Sequence, residues 1–282
     1  MKKRWMLIVL FCAALLLAGC PRVELHPTEA EKKHFDNGFA FAEQGRFDEA
    51  ISEFTEVLKT DPRWAMAYYN RGICYFNTGQ YDLAIADYSK AIELDPNYVD
   101  AYVNRGWTYD NMGQWDLAIA DSNKAIELAP DLPASYINRA WAYISKEQYD
   151  LAIADCSKAI ELDPNDPAAY GNRGSAYMAK GEYNKALADF GKVIELDPTD
   201  AMAYNNRGYT YLEMNQFERA IQDFDEAIRL NPNYVNPYAN RALAYTLLGM
   251  EADAHENINR AVELGADRTR LETWIDEFKK HR

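Results

Sequence analysis

Residues 69–75 read YNRGICY, and Arg71 stands where an apolar side chain is expected. Tyr68, Gly72 and Tyr75 fall at i, i+4 and i+7, the stripe that an amphipathic helix buries, and Arg71 takes the i+3 seat of that stripe. A charge buried there without a partner is costly. The stretch recurs. Asn-Arg-Gly or Asn-Arg-Ala starts at Asn70, Asn104, Asn138, Asn172, Asn206 and Asn240, each 34 residues after the last, and Asp36 opens a related triplet one period earlier. Seven units follow, 31–64, 65–98, 99–132, 133–166, 167–200, 201–234 and 235–268, and a period of this size marks an array of stacked helical or strand units.

Within 65–98 the segment AMAYYNRGICYFN has helical periodicity, TGQ is a turn, YDLAIADYSKAIEL is helical again, and DPN stops the chain because Pro cannot continue a helix. Each unit is therefore expected to be a helical hairpin. Gly72 and its equivalents, replaced only by Ala140 and Ala242, together with Ala84 and its equivalents in all seven units, let the two helices approach closely. The Ala91 seat holds Ala or Val, and the Tyr75 seat is aromatic throughout. Hairpins with this much apolar surface bury it on their neighbours.

The 34-residue period with Gly, aromatic, Ala, Ala and Pro at these spacings resembles the tetratricopeptide repeat over residues 31–268. The resemblance implies an all-α fold, a right-handed α-solenoid of seven hairpins whose first helices line a concave groove, with residues 269–282 as a C-terminal capping helix. Arg71 departs from the family pattern, which commonly has an aliphatic residue at that seat.

That seat is Arg in six units (Arg71, Arg105, Arg139, Arg173, Arg207, Arg241) and Asn37 in the first. A second seat is acidic in six units (Glu53, Asp87, Asp121, Asp155, Asp189, Asp223) and Asn257 in the last. Pairing inside a hairpin leaves Glu53 and Arg241 without an ionic partner, whereas pairing each Arg with the acid 18 residues earlier matches all twelve. An inter-repeat ladder, Glu53 with Arg71 through Asp223 with Arg241, is the expectation, and the planar fork of Arg suits it.

By the same resemblance, Met66, Tyr69, Asn70, Ile73, Phe76 and Asn77 face the concavity, and their equivalents add Val103, Trp107, Ile137, Trp141, Ile144, Met178, Tyr209 and Leu212. Large exposed aromatics in a concavity mark a binding surface, the alternative being that they pack on the next hairpin. The row Asn70, Asn104, Asn138, Asn172, Asn206 and Asn240 offers donors and acceptors to an extended peptide, much as a similar asparagine ladder does in the repeats of O-linked N-acetylglucosamine transferase. The alternative is that these amides bond nearby backbone. The basic clamp of chaperone-binding members is missing, since the concave seats hold hardly any Lys or Arg. Protein or peptide segments are the expected partners, with a glycan stacked on Trp107 and Trp141 as the second reading.

The start MKKRWMLIVLFCAALLLAGC has a basic head, an apolar run and a small residue before Cys20, the layout of an export signal and too short for a stable membrane span. LAGC resembles the lipobox of bacterial lipoproteins, which implies a signal peptide over residues 1–19, Cys20 as the lipidated anchor and 20–30 as a tether; a plain signal peptide or an uncleaved anchor is the alternative. The eight residues 20–27 reach about 30 Å at most, which would hold the array close to a cell-envelope membrane. TEAE (Thr28–Glu31) and TRLE (Thr269–Glu272) fit the capping-box pattern, and Leu271, Trp274, Ile275 and Phe278 make an apolar face for the last helix. Formal net charge is −14, and with Lys2, Lys3 and Arg4 set aside the remainder carries −17, which argues against a nucleic-acid partner. Cys74 and Cys156 lie far apart along the array and are expected as buried free thiols. His26, His34, His255 and His281 do not cluster, and no phosphate loop or nucleophile elbow appears, so no catalytic residue, metal or cofactor is expected.

Overall fold

The computed structural model describes residues 28–280, so the signal-like segment, Cys12 and Cys20 lie outside the described residues. The fold is all-α. The described residues form two compact units that divide after Pro130. The first holds α1 (Glu29–Glu43), α2 (Phe47–Thr60), α3 (Ala65–Asn77), α4 (Tyr81–Leu94), α5 (Val99–Asn111) and α6 (Trp115–Leu128). The second holds α7 (Pro133–Ser145), α8 (Tyr149–Leu162), α9 (Pro167–Ala179), α10 (Tyr183–Leu196), α11 (Ala201–Glu213), α12 (Phe217–Leu230), α13 (Val235–Leu247), α14 (Glu251–Glu263) and α15 (Arg268–Lys280). Within each unit an odd-numbered helix packs on the even-numbered one after it, and that one on the next odd-numbered helix, so the hairpins stack as a solenoid.

The hairpin turn is a Schellman motif. The N–H of Gln80 reaches the Tyr75 carbonyl at 2.8 Å and the N–H of Gly79 the Phe76 carbonyl at 3.0 Å. That geometry holds Gly79 at φ 77°, in the left-handed region where a Cβ is unwelcome. Five of the seven equivalent positions are Gly, while Glu147 (φ 59°) and Asn215 (φ 60°) adopt the same conformation with a side chain. Between hairpins, Asp95 closes the DPN turn by accepting from the N–H of Asn97 at 3.0 Å.

Facing positions in a hairpin are matched by size. A Cβ built on Gly72 would come within 2.7 Å of the Tyr88 ring, and Gly38, Gly174 and Gly208 meet Phe54, Phe190 and Phe224 as closely. Where the second helix carries Ser122, Gly106 has 3.4 Å to its nearest atoms; where it carries Cys156, the first helix carries Ala140. Gly72→Ala is therefore expected to destabilise by about 1–3 kcal/mol through overpacking, while Gly106→Ala should be neutral or stabilise by about 0.5–1 kcal/mol through helix propensity. Urea midpoints of the two variants check this, and equal losses would refute the size matching.

The ends are capped as two different cases. Thr28 and Glu31 form the expected box, Thr28 Oγ1 accepting from the Glu31 N–H at 3.2 Å and Glu31 accepting from the Thr28 N–H at 2.6 Å. The second box does not form. Thr269 lies inside α15, and Asp267 accepts from the Arg270 N–H at 2.8 Å instead, because a carboxylate two residues earlier, just before the first helical residue, is already placed to cap. Leu271 and Ile275 are buried, with Trp274 and Phe278 half-buried beside them on the last hairpin. Cys74 and Cys156 are buried free thiols; burial pushes the Cys74 thiol up to about 12, which leaves it unreactive.

Candidate functional site: the inner helix faces

The Arg seat works inside the hairpin. Arg71 donates from Nε and Nη2 to the two oxygens of Asp87 at 2.7 and 2.9 Å. The same fork joins Arg105 to Asp121, Arg139 to Asp155, Arg173 to Asp189 and Arg207 to Asp223. The expected inter-repeat pairs, Glu53 with Arg71 through Asp223 with Arg241, are thereby corrected. What crosses to the preceding hairpin is the remaining nitrogen, Nη1, which donates from Arg71 to Thr55, from Arg105 to Ser89 and from Arg173 to Ser157 at 3.0, 2.9 and 3.2 Å. The reason is angular. These hydroxyls stand two residues beyond the acid seat, about 200° further round the helix, so the acid faces its own hairpin and the hydroxyl faces the next.

Neither end of the ladder is left bare. Glu53 meets His34 Nδ1 at 2.7 Å, and Arg241 donates to Asn257 at 2.8 Å and pairs with Asp225 at the hydroxyl seat. The charge is also cushioned, since the Arg71 guanidinium lies 5.6 Å from the Tyr68 ring and 5.7 Å from the Tyr75 ring, the two neighbours of its stripe. Burial works against the Arg105 cation, and the Asp121 fork more than offsets it, holding the guanidinium above its ordinary range.

The inner seats divide. In the first unit Met66 and Trp107 are exposed, Trp107 at 38%, whereas Ile73 and Phe76 are half-buried against their own hairpin. Tyr69, expected in the groove, is only 5% exposed; it packs on Tyr88 and Tyr98, and its hydroxyl accepts from Asn104 at 2.9 Å. Its ring lies between Tyr88 of its own hairpin and Tyr98, which leads into the next. In the second unit Trp141 is 41% exposed, Tyr209 is half-buried, and Leu212 is fully buried rather than a wall residue.

All six amides of the Asn row are half-buried. Asn70 donates to the Met66 carbonyl of its own helix and Asn104 to Tyr69, so part of the row serves the fold. At the far end Asn240 donates to Asn205 Oδ1 at 2.9 Å, and Asn205 in turn donates to Asn206 Oδ1 at 3.2 Å. These three, with Asn236, Tyr209 and Trp274, line a cavity of about 350 Å³ among α11, α13 and α15. Asn205, Asn236 and Trp274 were not legible as site residues. The available signal was the doublet Asn205-Asn206, since the seat before the row holds Tyr69, Val103, Ile137, Gly171 and Ala239 elsewhere. In the first unit a second cavity of about 580 Å³ lies at the turns, between Trp64 and Tyr98, with Asp61, Asp95 and Asp100 on its rim. No group of His, Cys, Asp and Glu among the described residues could hold a metal ion, and no described helix is long and apolar enough to cross a membrane.

Models described as tetratricopeptide repeat match residues 65–98, 133–166 and 201–234, and again 88–120 and 156–188; one described as TPR repeat matches 38–79 and 174–215. Together they span 38–120 and 133–234, well over half the chain. The chain is a tetratricopeptide repeat protein. No curated protein sequence matches it. Among solved structures, a tetratricopeptide repeat protein from Parabacteroides merdae shares 18% identity at TM-score 0.72, over 88% of this chain and 98% of that one, a likeness of fold. MamA shares 29% identity at TM-score 0.54, over 62% of this chain and 95% of its own. YrrB, described as a TPR protein with an unusual peptide-binding site, shares 28% identity at TM-score 0.51, over 65% of this chain and 95% of its own. This tetratricopeptide repeat protein thus has the architecture of a protein-interaction scaffold, a fold that is typically not catalytic.

Proposed function

We propose that this tetratricopeptide repeat protein is a scaffold tethered by a lipid on Cys20 to the exported side of a bacterial cell-envelope membrane, and that its inner helix faces hold extended or helical segments of partner proteins. The observation that carries the binding reading is the exposure of large aromatics on first helices, Trp107 in the first unit and Trp141 in the second. A monomer gains nothing by wetting indole rings, and such side chains are the usual anchors of interfaces. The peptide-binding description of YrrB supports the same class of ligand. The apolar run ending in LAGC supports export and lipidation.

The test is crosslinking and pull-down from membranes with the native chain and a Trp107→Ala, Trp141→Ala variant. Asn104 is left intact because its amide holds Tyr69. Both indoles are exposed, so the variant should melt like the parent and lose the partners the parent recovers. Identical partners on a folded variant would defeat the groove reading. In parallel, Cys20→Ser should abolish labelled palmitate incorporation and release the chain from the membrane fraction; retention with label elsewhere would defeat the anchor.

A further inference from the structure

We propose that the cavity among α11, α13 and α15 is a carbohydrate site that takes an uncharged pyranose ring of a glycan. This goes beyond the scaffold reading and does not depend on it. The cavity lies wholly inside the second unit, and its volume of about 350 Å³ is at the lower end of small-ligand sites. No charged side chain lines it, in a chain whose formal net charge is −14. A carboxylate or phosphate entering would meet no cation, and an ammonium group would meet no anion. The ligand is neutral.

The amides are set in advance. Asn205 is 5% exposed, and it is held between Asn240, which donates to its oxygen, and Asn206, which accepts from its nitrogen. The relay leaves the Asn206 Nδ2 hydrogens and the Asn240 Oδ1 acceptor without a protein partner, one donor and one acceptor at a cavity wall. Sugar hydroxyls both donate and accept, so a ring carrying several of them can answer both groups. The apolar C–H face of a pyranose suits the Tyr209 and Trp274 rings that line the same cavity.

An extended peptide would need this arrangement to recur along the inner helices, and it does not. The residue before the row is Ile137, Gly171 and Ala239 in the other hairpins of the second unit, and Trp274 belongs to the terminal helix alone. Among the described residues the donor, acceptor and aromatic walls meet once, as they would for a single ring.

Saturation-transfer NMR and titration calorimetry of the full-length chain test this, in a zwitterionic detergent without a sugar headgroup. The probes are chitotetraose, maltotetraose and cellotetraose, with a neutral Gly-Ser-Asn peptide of similar length. One of the sugars is expected to saturate with a Kd of about 1 mM or tighter. Trp274→Ala and Asn206→Ala should each weaken it by about tenfold or more, Trp274→Ala with a lowered melting temperature because the ring packs on the last hairpin, while Trp274→Phe retains binding. Asn206→Asp, isosteric but charged, guards against loosening of α15 as the cause and should also weaken it. The proposal is overturned if no sugar saturates, if the peptide alone binds, or if binding ignores these substitutions.

Discussion

Asp121→Ala will cost about 3–5 kcal/mol of stability, because it strands the Arg105 guanidinium in a half-buried site built around a carboxylate. The Arg105 side chain is 18% exposed and that of Asp121 8%, so water cannot replace the lost partner cheaply. Removing both charges with Arg105→Met and Asp121→Leu should recover most of the loss, since a buried pair often does no better than an apolar contact. The coupling belongs to the hairpin. Arg105 with Asp121 should show a coupling energy of about 1–3 kcal/mol, whereas Arg105 with Asp87 of the preceding hairpin should be close to additive. Urea unfolding analysed with nearest-neighbour repeat energetics reads both cycles. Strong coupling in the second pair alone would restore the inter-repeat ladder.

A second large effect is expected at Asp110, of opposite sign. Its carboxylate is buried, 7% exposed as a residue, and neither oxygen has a hydrogen-bond partner. Burial pushes its pKa up to about 7. A raised folded-state pKa means that the folded chain keeps this proton while the unfolded chain loses it near pH 4. The residue is therefore tolerated at low pH, and its contribution is lost as pH rises from about 4 to about 7, at up to 1.4 kcal/mol per unit. Four of the six equivalent seats hold Phe76, Ile144, Met178 and Leu212, the last fully buried, and the other two hold Ala42 and Thr246. Asp110→Leu should accordingly stabilise the chain by about 2–4 kcal/mol at pH 8 and by little at pH 4. Melting temperatures across that range, variant minus parent, check it; a difference independent of pH would refute the buried-acid account.

The helices were legible because their signals are local. Gly79 marks a turn whatever lies around it, and the 34-residue recurrence of Gly72, Tyr75, Ala84 and Pro96 reports a packing unit repeated seven times. The steric match of Gly72 to Tyr88 could also have been found by comparing the two seats unit by unit, because an aromatic at the second seat faces Gly at the first in all four hairpins that carry one. The Arg partners were not legible. Counting matched residues at the two ends favoured the inter-repeat pairing, yet His34 and Asp225 stood ready outside the pattern to complete the ends.

The site followed the same division. Trp107 and Trp141 stand exposed on first helices, while Tyr69, placed on the same face by the family resemblance, packs in the gap between hairpins. The sequence by itself determined the repeat, the hairpin, its turns and the scarcity of Lys and Arg at the inner seats, since these are read within one period. Only the tertiary structure decided which oxygen each guanidinium meets, that Asp110 has none, and that Asn205, Asn206, Asn240 and Trp274 converge on one cavity. Those facts depend on the angle at which a side chain leaves its helix and on what the neighbouring hairpin leaves free, and a one-dimensional period carries neither.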